Sequence, residues 1–147
     1  MCAQICEVLD PGYPAQDAQI NAELCQILVV LDSTKVVSKT LALMATAKDD
    51  FQEVGSDAVL SRNDGYANAA RAAAGSRPNA QQIAYMFALR NATAGWTPEH
   101  RKTFFSWFSR ARTWKGGNSF NGFIDNIRKD ALATFVPQAE LADLEAL

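Results

Sequence analysis

An all-α fold, built as stacked antiparallel helix pairs in an α-solenoid fragment, is what the sequence predicts. Three observations carry the prediction. Apolar residues recur at three- and four-residue spacing in several stretches. Those stretches are bounded by helix start and stop residues. Alanine is abundant and β-branched runs are few, which favours helix over strand. At 147 residues the chain holds one ordinary helical domain or a few helical repeats, with enough length for a real core.

In chain order, residues 1–10 predict a short helix, and Pro11, Gly12 and Pro14 an irregular connection. Ile20, Leu24, Ile27, Leu28 and Leu31 give a helix from about Asp17 to Leu31, and Val29 and Val30 widen its apolar face, so burial on two sides is expected. Asp32 and Ser33 supply a turn and a cap. Val36, Val37, Thr40, Leu41 and Met44 make the next helix, and 9–47 forms a first helix pair. Residues 48–79 read as a variable insertion with one alanine-rich helix from Tyr66 to Ala74. Asn79 caps a helix reaching about Ala92, whose stripe is Ile83, Phe87 and Arg90, flanked by Met86 and Leu89. Trp96 is placed to pack on its end.

The strongest stretch follows. Thr97 and Pro98 form an N-cap and first-turn pair, and Glu99 adds negative charge at the positive end of the helix dipole. Phe104, Trp107, Phe108, Ala111 and Trp114 make one stripe, and Gly116-Gly117 is expected to end it in the left-handed conformation. Ser119 or Asn118 starts a second helix with the stripe Phe120, Phe123, Ile124, Ile127, Ala131 and Phe135, limited by Pro137. Each buried aromatic contributes roughly 1.5–3 kcal/mol, so these rings are expected to be core. They complete a second helical unit over 80–136, leaving 137–147 as a leucine-bearing tail with acidic faces.

The same residues bear on function mostly by what they exclude. The formal charge is −2, so global electrostatics give no case for nucleic acid or a membrane surface. There is no apolar run long enough for a membrane span and no secretory signal pattern after Met1. Cys2, Cys6 and Cys25 are an odd set without a Cys-x-x-Cys pair. That argues against a disulfide framework and a zinc site. Cys2 and Cys6 share a helix face, and Cys25 reads as a small buried hydrophobe. His100, the one histidine, reads as a surface or capping residue. No nucleophile elbow, phosphate loop or metal signature appears, so no catalytic, cofactor-binding or metal-binding residue is assigned and no enzymatic activity is expected.

The one electrostatic feature is local. Arg101, Lys102, Arg110, Arg112, Lys115, Arg128 and Lys129 face only Glu99 and Asp125 between 97 and 129, a local excess of +5. Residues 1–66 hold ten acidic groups against four basic ones, a balance of −6. The basic set is the candidate partner-binding face, for an acidic protein surface or, in the alternative reading, for nucleic acid.

Several spaced blocks also carry a resemblance. LDPGYP at 9–14, NAELCQILVVLD at 21–32, VVSKTLAL at 36–43, QIAYMFALRN at 82–91, GWTPEHRK at 95–102, FSWF at 105–108 and KGGNSFNGFI at 115–124 resemble the HEAT-like helical-repeat segment of large planctomycete-type secreted proteins. In those proteins the repeats accompany a c-type cytochrome domain, often after a dehydrogenase-like β-propeller. The resemblance implies a HEAT-like scaffold between other domains, a protein partner or neighbouring domains of a larger chain, and a periplasmic or extracytoplasmic setting. The haem-attachment motif Cys-x-x-Cys-His is missing, so no haem ligand and no cofactor is carried over to any residue here.

Overall fold

The computed structural model describes residues 2–47 and 76–147. Every described element is helical, and they are numbered here over those residues. They are α1 (Cys2–Leu9), a 3-10 turn (Asp10–Gly12), α2 (Ala18–Val30), α3 (Val36–Thr46), α4 (Ala80–Leu89), α5 (Pro98–Ala111), α6 (Phe120–Phe135), a second 3-10 turn (Gln138–Glu140) and α7 (Leu141–Glu145). The expected alanine-rich helix from Tyr66 to Ala74 lies outside the described residues.

The helix starts follow the capping chemistry. Asp17 accepts from the amides of Gln19 and Ile20, Asn79 from that of Gln82, and Thr97 from that of His100. α4 packs on both α2 and α3, and α5 on α3 and α6. The core runs through all of them, from Tyr13, Cys25 and Leu28 through Val37, Tyr85 and Leu89 to Phe104, Phe105, Phe108, Ile124 and Ile127.

Phe104, Phe108, Ala111 and Trp114 are buried as the spacing placed them, but Phe105, left out of that stripe, is fully buried as well and Trp107 only partly so. Trp96 stacks on Phe135 with centroids 3.8 Å apart, and Phe104 meets both rings edge-on. The Trp96 indole donates to the Ala92 carbonyl, which fixes it on the end of α4. Gln82 links three helices: its amide donates to Met44 O of α3 at 3.3 Å and accepts from the Trp107 indole of α5 at 2.9 Å. Beside it, Asn79 donates to Ala47 O at 3.3 Å, joining the end of α3 to the start of α4.

Five expectations are corrected. Ser33 is not the N-cap of α3, a position held by Lys35; its hydroxyl donates to Asp10 at 2.9 Å and accepts from the Lys35 amide at 3.3 Å in the turn ahead of the helix. Gly116-Gly117 does not end α5, which stops at Ala111 followed by a turn. Neither glycine has the left-handed φ; Gly116 instead makes room, since a Cβ there would fall 2.1 Å from Phe120 Cγ. α2 is not buried on two sides: Asn21, Cys25, Leu28 and Val29 face inward, while Ile20, Ile27 and Val30 face out. Asn21 takes the interior because it exchanges two hydrogen bonds with the backbone of Ala15, at 2.6 and 2.9 Å. In α4 the inward face is Gln82, Tyr85, Met86, Ala88 and Leu89, not the Ile83–Phe87–Arg90 row. Phe87 and Phe123 stack on one another at 5.7 Å with both rings partly in solvent.

Candidate interaction surface

The seven basic positions do not act as one face. Arg101, on the inner side of α5, is 8% exposed. It makes a two-pronged contact with Glu140 of the tail, Nε to Oε2 at 2.7 Å and an Nη to Oε1 at 2.6 Å. That hydrogen bonding holds the Glu140 carboxyl below the usual carboxylate range and pushes the guanidinium up. Arg112 pairs with Asp125 across the α5–α6 junction at 3.0 Å, with both side chains in water. Arg128 donates to the carbonyls of Leu144 and Glu145 at 3.3 and 2.6 Å, and its guanidinium lies 5.9 Å from the centre of the Phe105 ring. Its buried Nε has no acceptor among the described residues. Lys102, Arg110, Lys115 and Lys129 are exposed and form no ion pair with another described residue.

The larger surface feature lies elsewhere. Ile5 and Val8 of α1 and Ile20, Ile27 and Val30 of α2 are exposed, Val8 and Val30 by 77% and 81%. Ile20, Ile27 and Val30 recur at helical spacing on the outer side of α2. Glu7, Asp17 and Glu23 stand exposed on the same stretch. Asp17, Gln19, Ile20, Glu23 and Leu24 line a shallow cleft of about 450 Å³ at the start of α2. Apolar rows bordered by carboxylates suit a basic amphipathic segment. Sequence reasoning put Ile20, Ile27 and Val30 in the core and assigned no face to α1. The signal against that was present in Ile27, Leu28, Val29 and Val30: four consecutive apolar residues circle a helix, so some had to face outward.

The remaining polar clusters are structural in form. The Tyr13 hydroxyl and Thr40 hydroxyl are 2.6 Å apart, with the Cys25 thiol 3.5 Å from the latter. Burial pushes the Cys25 thiol and the Tyr13 phenol up, which disfavours a reactive thiolate. Lys39 donates to the carbonyls of Asp10 and Tyr13, and Asp10 accepts from Ser33, so the 10–13 turn is pinned to the α2–α3 connection. Cys6 is buried, with its thiol 3.5 Å from Leu31 O; the relation of Cys2 to Cys6 lies outside the described side chains. His100 is half-buried with Nδ1 3.2 Å from Gly95 O, in the N-terminal turn of α5. Among the described residues no group of three or more His, Cys, Asp or Glu side chains is placed to hold a metal ion, and no helix is long and apolar enough to cross a membrane.

Compared with protein-family descriptions, curated proteins and solved structures, the chain matches none.

Proposed function

We propose that this chain is a non-catalytic helical scaffold that binds protein, with the α1–α2 face as its principal contact surface. One observation carries the reading: five large aliphatic side chains, Ile5, Val8, Ile20, Ile27 and Val30, stand in solvent on two successive elements amid carboxylates. Exposed apolar groups recurring along one side of a helix, as Ile20, Ile27 and Val30 do on α2, are characteristic of contact surfaces. The occupant that fits is a basic amphipathic helix, from a partner or a neighbouring domain.

The arrangement proposed for the helices is the stacked antiparallel pair of HEAT-like solenoids. Contacts at both ends of α5 and α6 support it: Arg112 and Asp125 meet at one end, and Trp96, Phe104 and Phe135 at the other. We propose further that such a scaffold belongs to a larger extracytoplasmic redox protein, as the resemblance to repeat segments beside c-type cytochrome domains implies, where it would hold domains together without carrying haem itself.

The test uses a fluorescein-labelled basic amphipathic peptide titrated into the whole chain by anisotropy, with an acidic peptide of equal helicity as control. Saturable binding of the basic peptide, abolished by Ile27→Glu with Val30→Glu, is the expected result. Equal binding by both peptides, or binding indifferent to the double variant, overturns the reading.

Nucleic-acid binding is a second reading, favoured by one observation: Lys102, Arg110, Lys115 and Lys129 remain exposed and without ion pairs among the described residues. Its test is a filter-binding titration over salt, in which neutralising about four phosphates makes affinity fall steeply as salt rises. Absence of binding at low salt removes it.

A further inference from the structure

The tail after α6 lies in a bed made by α5 and α6. Arg101, Phe105 and Ser109 are four residues apart in α5 and form one row along it. The tail follows that row: Glu140 sits at Arg101, and the Leu147 carbonyl accepts from Ser109 at 2.8 Å. Arg128 of α6 closes the other side. Leu144 is the only tail residue that is buried; Leu141 and Leu147 are half-exposed. A cleft of about 540 Å³ remains open beside it, lined by Pro98, Lys102, Glu140, Asp143, Leu144 and Leu147.

The two arginines are served unequally. Arg101 receives a full carboxylate at 2.6 and 2.7 Å. Arg128 receives two carbonyls on a single Nη, and its buried Nε is left without an acceptor among the described residues. A buried, unpaired N–H is costly, and a guanidinium is best met by a carboxylate that takes two of its hydrogens. The tail thus fills the bed incompletely in volume and in hydrogen bonding.

We propose that the Arg101–Phe105–Arg128 bed on α5 and α6 is a docking groove for an acidic amphipathic helix of a protein partner, and that residues 137–147 are its exchangeable intramolecular occupant. The tail shows the chemistry the groove accepts: a carboxylate on Arg101 and a leucine one helical turn later. The tail's Glu145, five residues after Glu140, meets Arg128 only through its backbone carbonyl; the better occupant turns a carboxylate side chain to that place, reaching both the Nε and an Nη of Arg128, and faces Lys102 with further acidic groups. The proposal extends the protein-binding reading to a second surface of opposite charge and does not depend on the α1–α2 face.

The experiment uses the whole chain and a fluorescein-labelled peptide copying residues 137–147. In the chain carrying Glu140→Gln with Leu144→Ala, the loosened tail competes less, so the peptide binds about tenfold or more tightly than to the wild type. Adding Arg101→Gln returns binding to the wild-type level, and Arg128→Gln weakens it severalfold. Equal binding to loosened and wild-type chains, or binding indifferent to Arg101→Gln, overturns the proposal. Hydrogen exchange on the wild-type chain supplies a second readout if the loosened variant fails to fold. Amides of 139–147 should exchange far faster than those of α5, and exchange of both at one global rate overturns the proposal as well. Ile27→Glu with Val30→Glu should leave this peptide's binding unchanged, so a failure here is separate from a failure at the α1–α2 face.

Discussion

At Thr40 one hydroxyl serves two buried neighbours, the Tyr13 phenol at 2.6 Å and the Cys25 thiol at 3.5 Å. Tyr13→Phe leaves the Thr40 oxygen one partner short in a dry site, and the expected cost is about 1–3 kcal/mol in a denaturant titration. The same burial keeps Cys25 as a thiol, so a thiol reagent should modify it only as the chain unfolds. Glu140 behaves in the opposite sense. Its carboxyl is held below its ordinary value chiefly by the hydrogen bonds from Arg101, so folding favours the ionised form. The contribution is complete above the ordinary carboxylate range and is lost as pH falls through the lowered value. Hydrogen exchange of the tail should therefore accelerate on acidification, and Glu140→Gln should remove that pH dependence. Counting charges along the sequence could not foresee this pair, because Arg101 and Glu140 are 39 residues apart and nothing local links them.

The starts of α2, α4 and α5 were legible because a cap is a local device: an acceptor side chain and the amides two or three residues on decide it. Thr97→Ala should cost about 1 kcal/mol, read by thermal unfolding. The direction in which α2 faces was not legible. Its apolar residues lie on both sides, and Asn21 takes the inner one, bonded to the backbone of Ala15 in the irregular segment ahead of the helix. Gln82 took an inward position in α4 for a similar reason, since its partners come from α3 and α5. The left-handed glycine is Gly95, in the link between α4 and α5, with φ +83° and a notional Cβ only 2.5 Å from Thr34 O; the sequence marks it as the end of a segment, but its close approach to Thr34 is not legible there. Gly95→Ala should destabilise by at least about 1–2 kcal/mol from the backbone conformation alone, with the clash in addition.

Over the whole molecule, the aromatic centre dominates stability and the two charged surfaces divide the candidate contacts. Phe104 touches Trp96, Phe105, Phe108 and Phe135, so Phe104→Ala should cost about 3–5 kcal/mol and broaden the unfolding transition of every helix it touches. The all-helical class was legible because period and caps repeat along the chain. The surfaces were not, because exposure is settled by which neighbour a helix finds. Ile20 and Ile27 belong to a valid helical stripe that no other described element covers. Changing them should leave the core intact, so Ile27→Glu with Val30→Glu is expected to retain wild-type helicity by circular dichroism while losing the basic-peptide binding proposed for this face.

The clasp formed by Asn79 on Ala47 and by Gln82 on Met44 has an engineering consequence. It brings the chain's exit from α3 and its return into α4 together by contacts that belong to the helices themselves. Closing a loop between fixed ends costs only slowly more as the loop lengthens. Residues 48–75 are therefore expected to be replaceable by a glycine-serine bridge of about six residues, and the same gap should accept a whole foreign domain, with the melting temperature of the helical body as the gauge of success.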